Sequence, residues 1–428
     1  MRTTPPRINS SHKGLTPKTR CSTTDSAPRL RPMHRIRPAT DADAALLAEV
    51  AFAATSGQGR MPADVDETAW RTEFEGWSRE SVADPTTDLA VVEVDGRGAG
   101  RLRVSRTADS VELNGIQLHP DVQNRGVGTA IITTLKSEAA RRDVPLRLHV
   151  ERDNPNARRL YDRLGFIRTG GDDKEDIMEW SKAAEQNRLW NADVAQRYDT
   201  PGVGMFSEDV LGPTVERLAG LAGGGRALEF AIGTGRVAVP LSEYGVPVSG
   251  IEFSDAMLEQ LRTKADADSI PVVTGDMATA RVPGEFTLVY LVFNTIANLL
   301  TQEEQVACFR NAARHLSPGG RFVIELWVPE LRRLPPGTPA TVGTADPGYI
   351  LLDTYDVLRQ HVVSHHFHFN EGTEAQLFRT PHRYIWPAEL DLMAQLAGFT
   401  LESRHADWTT TEFTADSPSH VSVYRLPS

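Results

Sequence analysis

Apolar and polar positions follow two different periods along the first part of the chain, first a helical period and then a strand alternation. Apolar residues recur at helical spacing in DADAALLAEVAFAAT and TAWRTEFEGWSRE, which predicts two helices. Strict alternation in DLAVVEVDGRGAGRLRVSRT predicts two strands that turn at Asp95-Gly96. SVELNGIQLHP predicts a further strand, which a glycine-containing loop connects to a helix with one apolar stripe. That stripe consists of Val127, Ile131, Leu135 and Ala139.

A second pattern, of strands alternating with helices, runs from about residue 226 to about residue 327. Its strands lie in RALEFAIGTGR, VPVSGIEFS, IPVVTGDMAT, FTLVYLVFN and SPGGRFVIELWV. Such alternation predicts a doubly wound, mostly parallel sheet, which binds ligands at the carboxyl ends of its strands. After it, ELRRLPPGTPATVGTADPGY indicates a loop, and ILLDTYDVLRQHVVSHHFHFN with AQLFRTPHRYIW indicates inserted antiparallel strands. TLESRHADW and SHVSVYRL are expected to close the domain as an antiparallel pair.

Length and charge then divide the chain of 428 residues. Residues 1–32 are basic and rich in Ser, Thr and Pro, so we expect a disordered extension; an organelle transit peptide has the same composition, but we favour Met33 as the natural start. Everything after Met33 is more acidic than the overall net charge of −11, which argues against general nucleic-acid binding. We expect domains at 33–181 and 191–428, with 182–190 as a linker or as the start of the next helix.

The cysteines, histidines and apolar segments bear on disulfide bonds, metal sites and membrane segments. Cys21 and Cys308 lie far apart, so neither a disulfide framework nor a zinc site is expected, and a reducing cytoplasm fits. No apolar stretch reaches the roughly 20 residues of a membrane span, so no membrane segment is expected. His366 and His368 share one face of a strand, but no further ligands complete a set, so no metal site is predicted. A simple exposed strand is the favoured interpretation of that segment, ahead of a histidine base or a substrate-facing pair.

The loop DVQNRGVGTA allows two interpretations. Gly126 and Gly128 would let a pyrophosphate approach the free N–H groups of a helix N-terminus, or they would serve a plain strand-to-helix turn. The segment NPNARRLYDRLGF, which follows the next strand, favours the first interpretation. Together, QNRGVGTA and NPNARRLYDRLGF resemble the GNAT N-acyltransferase superfamily, and the resemblance covers about residues 33–181.

That resemblance implies a mixed central sheet with helices and a role for each motif residue. Backbone groups near Leu118 would hold pantetheine and the thioester of acetyl-CoA, Asn154 would contact the pantetheine arm, and Tyr161 would protonate the leaving thiolate. The CoA pyrophosphate would bind the loop formed by Gln123, Arg125, Gly126, Val127, Gly128 and Thr129. Glu112, on the preceding strand, is either the proton acceptor or an ordinary surface glutamate.

The first strand of the second domain ends in a different pattern, E-x-A-x-G-x-G. Glu229 begins it, Gly235 ends it, and Glu252 follows at the end of the next strand, where an acid can accept hydrogen bonds from ribose hydroxyls. This pattern resembles a class I S-adenosylmethionine-dependent methyltransferase, whose Rossmann-like fold has seven strands. Ala231 replaces the usual first glycine, a small change that we expect to leave binding intact.

The methyltransferase resemblance implies contacts for each part of S-adenosylmethionine. Tyr198 would close over the methionine part, Glu252 would hold the ribose, and Asp276 would meet the adenine amino group. Phe253 and Met257 would border the adenine, and Phe293-Asn294 would lie beside the methyl group. The full set of expected residues is Tyr198, Glu229, Ala231, Gly233, Gly235, Glu252, Phe253, Met257, Asp276, Met277, Phe293 and Asn294.

The sequence therefore predicts a bifunctional transferase: an acetyl-CoA-dependent N-acetyltransferase fused to an S-adenosylmethionine-dependent methyltransferase. The inserted strands and the acidic charge favour a small-molecule acceptor that carries an amine, such as an amino sugar, over nucleic acid. Two alternatives stay open. One is a methyltransferase regulated by a non-catalytic, acyl-CoA-sensing GNAT domain, and the other is an acetyltransferase that acts on protein amines.

Overall fold

The computed structural model describes residues 34–202, 204–335, 337–369 and 375–428. The predicted extension 1–32, Met33 and Cys21 lie outside the described residues. Within them the chain is an α/β protein with two seven-stranded sheets and one four-stranded sheet. None of the described helices is long and apolar enough to span a bilayer.

The first sheet holds the predicted hairpin and the glycine loop. Its strands are β1 His34–Pro38, β2 Thr87–Val94, β3 Arg97–Arg106, β4 Val111–Leu118, β5 Leu146–Glu151, β6 Ile167–Gly171 and β7 Glu175–Trp180. They lie in the order β1-β2-β3-β4-β5-β7-β6, and β4 with β5 is the parallel pair. Asp95 and Gly96, between β2 and β3, both have positive φ angles, as a tight hairpin turn requires.

The pairing of β4 with β5 stops early and leaves a wedge in the sheet. Only Val111–Leu113 pair with Leu146–Leu148, so Asn114–Leu118 diverge from β5. Four helices accompany this sheet: α1 Ala44–Gly57, α2 Glu67–Ala83, α3 Val127–Arg141 and α4 Pro155–Arg163. The predicted apolar stripe of α3 is buried against the sheet, which fixes the start of α3 beside the open end of the wedge.

The remainder of the chain follows the predicted alternation of strands and helices. Its strands are β8 Ala227–Phe230, β9 Val248–Glu252, β10 Val272–Thr274, β11 Phe286–Leu291, β12 Leu316–Trp327, β13 Ala340–Asp346, β14 Tyr349–Asp356, β15 His361–Phe369, β16 Ala375–Arg383, β17 Thr400–His405 and β18 Ser419–Arg425. Its helices are α5 Lys182–Leu189, α6 Ala192–Tyr198, α7 Glu208–Ala222, α8 Ala238–Glu243, α9 Asp255–Arg262, α10 Gln302–His315 and α11 Pro387–Leu396. Residues 182–190, for which the sequence allowed a linker or a helix, thus contain α5.

The second sheet places the predicted cofactor residues at one edge. Its order is β10-β9-β8-β11-β12-β18-β17, parallel from β10 to β12 and antiparallel from β12 to β17. Every residue of β8 and β9 is buried, as expected for central strands covered by helices on both faces. The chain leaves β8, β9 and β11 at the same edge, so the loops after them lie together.

The third sheet, in the order β13-β14-β15-β16, is the antiparallel insertion. The expectation of a loop throughout ELRRLPPGTPATVGTADPGY was wrong, because β13 forms within it. All residues of β13 are at least partly exposed at the edge of the sheet, and a bulge between Val342 and Thr344 interrupts its register. An exposed, bulged edge strand lacks the apolar alternation by which a strand is recognised in a sequence.

Candidate functional sites

The glycine loop of the first domain forms an open cradle at the start of α3. Gly126 is the N-cap with φ 83°, a conformation that favours glycine, and a Cβ at Gly126 would meet no atom within 4 Å. A Cβ at Gly128 would approach only Leu118, at 3.7 Å. Among the described residues, none accepts a hydrogen bond from the N–H groups of residues 124–129. The free N–H groups and the open space lie at the N-terminus of α3, a helix of 15 residues, and such a site fits a pyrophosphate group.

The other loop residues differ in what they can offer a ligand. Gln123 Nε2 donates to the Leu118 carbonyl at 2.8 Å, so this side chain ties the loop to the end of β4. Arg125 pairs with Asp95 of the hairpin turn at 2.7 Å. The Val127 side chain is buried, so this residue can offer a ligand only its backbone N–H group. Thr129 is partly exposed on the first turn of the helix. Their predicted role in CoA binding is untouched by these contacts and stays a prediction.

The helix that follows β5, α4, carries the predicted residues Asn154 and Tyr161. Asn154 is the N-cap: its Oδ1 accepts from Ala157 N at 3.1 Å, and its Nδ2 points to Gln58 at 3.4 Å. Tyr161 packs against Phe166, and burial raises the pKa of its phenol to about 12. The hydroxyl is therefore protonated at neutral pH, as a proton donor must be.

Glu112 lies at the apex of the wedge, one residue before the pairing of β4 with β5 ends. It faces Arg147 across the strands, and its Oε1 accepts from Ser110 Oγ at 3.1 Å. This position is compatible with both sequence interpretations, a proton acceptor at the wedge or an ordinary strand glutamate, so its role stays a prediction.

The turn after β8 has the backbone shape expected of a nucleoside-binding loop. Gly233 and Gly235 have φ angles of 59° and 79°, and Ala231 adopts φ 51°, where its Cβ costs roughly 1–2 kcal/mol. A Cβ at Gly235 would lie 2.3 Å from Leu261, so the tight packing of α9 requires glycine there. Glu229, at the end of β8, is buried and accepts from the Tyr290 hydroxyl at 2.9 Å.

Glu229 makes stability depend on pH. Burial raises the pKa of its carboxyl to about 8, above the unfolded value near 4.3, so the folded state retains a proton that the unfolded state releases. This contribution is fully present below the unfolded pKa and is lost as pH rises towards 8. We expect Glu229→Gln, which keeps an acceptor for Tyr290, to remove the dependence. Between pH 5 and 7.5 wild type should lose about 1.4 kcal/mol per pH unit relative to this variant in denaturant unfolding.

The exposed Glu243 supplies the matched control for that measurement. Glu243→Gln should follow the wild-type pH profile throughout. Parallel profiles for wild type and Glu229→Gln would show that the carboxyl at the end of β8 ionises normally.

Glu252 ends β9 and holds the loop around it. Its carboxylate accepts the N–H groups of Gly233 at 2.7 Å, Phe253 at 2.9 Å and Ser254 at 2.7 Å. Burial raises the pKa of this carboxyl, and the three backbone donors oppose the rise. A carboxylate has about four acceptor positions, so capacity remains for a ribose hydroxyl.

A single cavity of about 650 Å³ connects most of the predicted S-adenosylmethionine residues. Ten of them line it: Tyr198, Ala231, Gly233, Glu252, Phe253, Met257, Asp276, Met277, Phe293 and Asn294. Glu229 and Gly235 lie behind the wall and shape the loop. The Tyr198 ring meets Trp190 and Phe206 edge to face, and burial raises its pKa. The structure thus brings together residues spread over about 100 positions, although their contacts with the cofactor stay predictions.

Phe293 and Asn294 carry an unusual backbone at this cavity. Their φ angles are 52° and 65°, a region that non-glycine residues rarely adopt. Glu325 accepts from Phe293 N at 2.8 Å, and Asn294 Oδ1 accepts from Trp327 N at 2.7 Å. Both contacts come from β12, so the neighbouring strand holds this strained pair in place.

Lys182 of α5 is the main contact that the sequence did not predict. Its Nζ donates to Asp276 Oδ2 and to Glu304 Oε1, each at 2.6 Å, and Asp276 Oδ1 accepts from Ala278 N. Burial works against its charge, but the two carboxylates outweigh burial and raise the pKa of Lys182. The predicted adenine contact Asp276 is thus already paired within the chain. A polar segment next to a domain boundary gives no signal for such a long-range contact.

Removing Lys182 should weaken the anchoring of α5. In Lys182→Met two partly buried carboxylates lose their shared cation, so we expect the free energy of unfolding to fall by about 2 kcal/mol. This is below the range for fully buried pairs, because the groups are 17–19% exposed. Urea unfolding measures the change. The exposed Lys174 gives the control Lys174→Met, and equal midpoints for both variants would contradict the prediction.

The far end of the cavity is formed by the third sheet. Asp353 and Tyr355 of β14, His366 and His368 of β15 and His382 of β16 line it. His366 bonds Tyr349 at 2.7 Å and Thr380 at 3.0 Å, so β15 is not the simple exposed strand that was favoured. Among the described residues, no group of three or more His, Cys, Asp or Glu side chains is arranged to hold a metal ion.

Comparison with known families matches two separate parts of the chain. The model of the acetyltransferase (GNAT) family matches residues 55–166, and a methyltransferase-domain model matches residues 227–320. The first match contains the glycine loop, Asn154 and Tyr161, and the second contains the loops after β8, β9 and β11.

Individual relatives resemble one part of the chain each. The chain is 27% identical to cypemycin N-terminal methyltransferase of Streptomyces sp over 45% of its own length and 80% of the relative. It is 34% identical to mycothiol acetyltransferase of Acidimicrobium ferrooxidans over 32% of its length, but spans only 43% of that relative. The solved CcbJ methyltransferase of Streptomyces caelestis is 36% identical over 55% of this chain and 96% of its own, with a TM-score of 0.49. The chain therefore contains a GNAT-family domain followed by a class I methyltransferase domain.

Proposed function

We propose that the protein is a bifunctional transferase that methylates an amine with S-adenosylmethionine and acetylates an amine with acetyl-CoA. One observation carries the proposal for methyl transfer: the predicted cofactor residues and a polar pocket of the third sheet line the same cavity. For acetyl transfer, the open glycine cradle lies at the start of α3 and the protonated Tyr161 lies on α4, the helices that follow the two strands of the wedge.

The methyl-transfer site separates two tasks between the two ends of the cavity. When bound, S-adenosylmethionine supplies a methyl group on a positively charged sulfur. Glu252 offers its remaining acceptor capacity to the ribose hydroxyls, and Phe253 and Met257 offer apolar surface to the base. Phe293 and Asn294 line the same cavity, and their fixed backbone would position the reacting groups without further reorganisation.

The third sheet fits an amine acceptor. Asp353, whose carboxylate accepts from Ser364 at 2.7 Å, attracts a protonated amine into the cavity. Burial lowers the pKa of His382 to about 4 and also lowers that of His366, so both imidazoles are neutral at pH 7. Neutral imidazoles do not repel a protonated amine, and the amine must lose its proton before its lone pair can attack. The name of the cypemycin relative, an N-terminal methyltransferase, also supports an amine acceptor.

The acetyl-transfer site would use α3, α4 and the wedge. When bound, acetyl-CoA supplies an acetyl thioester, whose transfer forms a C–N bond, breaks the C–S bond and leaves a thiolate. Free N–H groups at the start of α3 would hold the pyrophosphate, Asn154 Nδ2 would contact the pantetheine arm, and Tyr161 would give its proton to the leaving thiolate. Glu112 at the apex receives the amine proton.

Calorimetric titration of the full-length protein with each cofactor tests this proposal. We expect one equivalent of S-adenosylmethionine and one of acetyl-CoA, each bound in the presence of the other. A panel of small amines is then incubated with each cofactor and searched for methylated and acetylated products by mass spectrometry. Absence of heat and of product with one cofactor removes that half of the proposal and leaves the other half standing.

One set of contacts favours a second candidate, acyl-CoA sensing by a non-catalytic GNAT domain. Lys136 of α3 donates to Glu185 of α5 at 2.8 Å, and Lys182 of the same helix donates to Asp276 in the cavity. A helix that begins at the CoA cradle is thus linked to the methyl-transfer cavity. Sensing requires a coupling free energy between the sites, so acetyl-CoA would change the Kd for S-adenosylmethionine several-fold without any acetylated product.

A further inference from the structure

An aromatic row on α2 covers one face of β3. Trp70, Phe74 and Trp77 are spaced at i, i+4 and i+7, so they share one side of the helix. The rings of Trp70 and Phe74 stack with centroids 4.9 Å apart, and those of Phe74 and Trp77 are 5.2 Å apart. Phe52 of α1 extends the row, 5.5 Å from Trp70. These four rings form an apolar wall beside the wedge.

Two arginines of β3 lie against this wall. Arg101 and Arg103 alternate onto the same face of the strand. The Cζ atoms of both lie over Trp77, at 4.5 Å for Arg101 and 5.2 Å for Arg103, and Arg101 also contacts Phe74 at 5.4 Å. Cation–π contacts of this kind hold the two guanidinium groups flat against the rings.

Neither guanidinium has a carboxylate partner among the described residues. Arg101 is only 4% exposed, and its one hydrogen bond goes from Nη1 to the neutral Gln117 Oε1 at 2.6 Å. The Nε atoms of Arg101 and Arg103 are both buried without an acceptor. Burial, and then the neighbouring charge of Arg103, lower the pKa of Arg101 to about 10. Two unpaired positive charges in an apolar setting are unfavourable unless an anion joins them.

The nearby acids are engaged elsewhere. Arg71 of α2 pairs with Glu67 at 2.8 Å, one turn away on its own helix. Asp84, the acid that acts on Arg103 through its charge, accepts hydrogen bonds from Thr86 and Thr87 instead. The buried Nε donors of Arg101 and Arg103 therefore have no acceptor among the described residues.

The arginines face the part of β4 that lines the wedge. Arg101 lies opposite Gln117 and Arg103 opposite Gly115, both beyond the last residue of β4 that pairs with β5. A Cβ at Gly115 would come within 2.9 Å of Arg101 Nη1, so glycine leaves room for the guanidinium. Gln117 directly precedes Leu118, the predicted contact of the thioester. An anion on the arginines would therefore lie next to the acetyl-transfer site.

We propose that Arg101 and Arg103 form a binding site for the carboxylate or phosphate of the acetyl acceptor, which is therefore an amine that carries a negative charge. The guanidinium fork matches the oxygens of either group, and the burial of Arg101 strengthens the contact. The identity of the ligand as acetyl acceptor rests on the proposed function, whereas anion binding at the site does not. The acceptor of the methyl-transfer cavity, which Asp353 attracts as a cation, has the opposite charge preference near its site.

Thermal unfolding of the full-length protein tests the site without any turnover. Inorganic phosphate or acetate, compared with chloride at constant ionic strength, should raise the Tm of wild type by about 2–4 °C. Arg101→Met keeps the packing but removes the unpaired charge, so its Tm without added anion should equal or exceed that of wild type. Its response to either anion should be smaller than that of wild type, because only the cradle at the start of α3 can still bind phosphate. Arg97→Met, at the exposed start of β3, is the matched control and should respond as wild type does.

The opposite result overturns the proposal: wild type shows no response to either anion, or Arg101→Met responds as strongly as wild type. If Arg101→Met does not fold, the more exposed Arg103→Met is judged by the same two criteria. The phosphate and acetate arms distinguish the two kinds of anion.

A second, independent test compares the KM for acetyl transfer between pairs of amines that differ in one negative charge. Glycine is compared with glycinamide, and phosphoethanolamine with ethanolamine. We expect a KM about tenfold lower for the charged member of one pair, a preference that Arg101→Met abolishes. Equal KM values in both pairs would contradict the assignment of the anion to the acceptor. If no amine is acetylated, the proposed acetyl transfer fails, and the anion response of Tm still decides the site.

Discussion

Glu252→Ala is expected to raise the Kd for S-adenosylmethionine about 100-fold and to abolish methyl transfer at micromolar cofactor. The carboxylate would contribute in two ways, because it would accept from a ribose hydroxyl and it fixes three backbone N–H groups of the surrounding loop. A hydrogen bond to a charged group is worth about 1.5–3 kcal/mol, and a 100-fold change in Kd corresponds to about 2.7 kcal/mol. Calorimetric titration of the full-length variant measures it.

A graded series separates the two contributions of this carboxylate. Glu252→Gln keeps the size of the side chain but places an NH₂ group against one of the backbone donors, so its Kd should lie between those of wild type and Glu252→Ala. Acetyl-CoA binding should be unchanged in both variants and serves as the control for folding. A Kd within threefold of wild type for Glu252→Ala would remove Glu252 from the ribose site.

The sequence allowed both folds to be predicted because their signals are local. The apolar stripe of α3, the positive-φ turn at Asp95-Gly96 and the buried run of β8 each depend on neighbouring residues alone. The strand β13 was missed for the same reason, because an exposed and bulged edge strand has no local apolar pattern. Pairing of six of its residues with β14 stabilises it, and pairing partners are not visible in one segment.

The candidate sites divide in the same way. The glycines and acids at strand ends carried the methyltransferase resemblance, and the fold then placed ten of the twelve residues that it implied around one cavity. Lys182 could not be identified, because its partners Asp276 and Glu304 lie 94 and 122 residues away. Arg101 and Arg103 could not be identified either. Their lack of a carboxylate partner among the described residues depends on how α2 packs on the sheet, which the sequence does not show.

Tyr161 distinguishes a catalytic GNAT domain from a sensing domain. Tyr161→Phe removes only the hydroxyl, and the ring retains its contact with Phe166, so fold and acetyl-CoA affinity should persist. If the phenol gives its proton to the thiolate, kcat for acetyl transfer should fall about 100-fold, the usual effect of losing a general acid. Methyl transfer should not change.

The release of free CoA thiol, followed with a chromogenic disulfide, measures this rate for the best amine of the panel. Tyr244→Phe, which alters a tyrosine 62% exposed in the methyltransferase domain, is the matched control and should behave as wild type. An unchanged rate in Tyr161→Phe would mean that solvent protonates the thiolate. Because burial keeps the phenol neutral far above physiological pH, loss of its proton cannot explain a fall in activity near pH 8. Such a fall in wild type would come from another group, so it should persist in Tyr161→Phe. A fall that disappears in Tyr161→Phe would mean that the phenol itself loses its proton near pH 8, which contradicts its role as a proton donor at that pH.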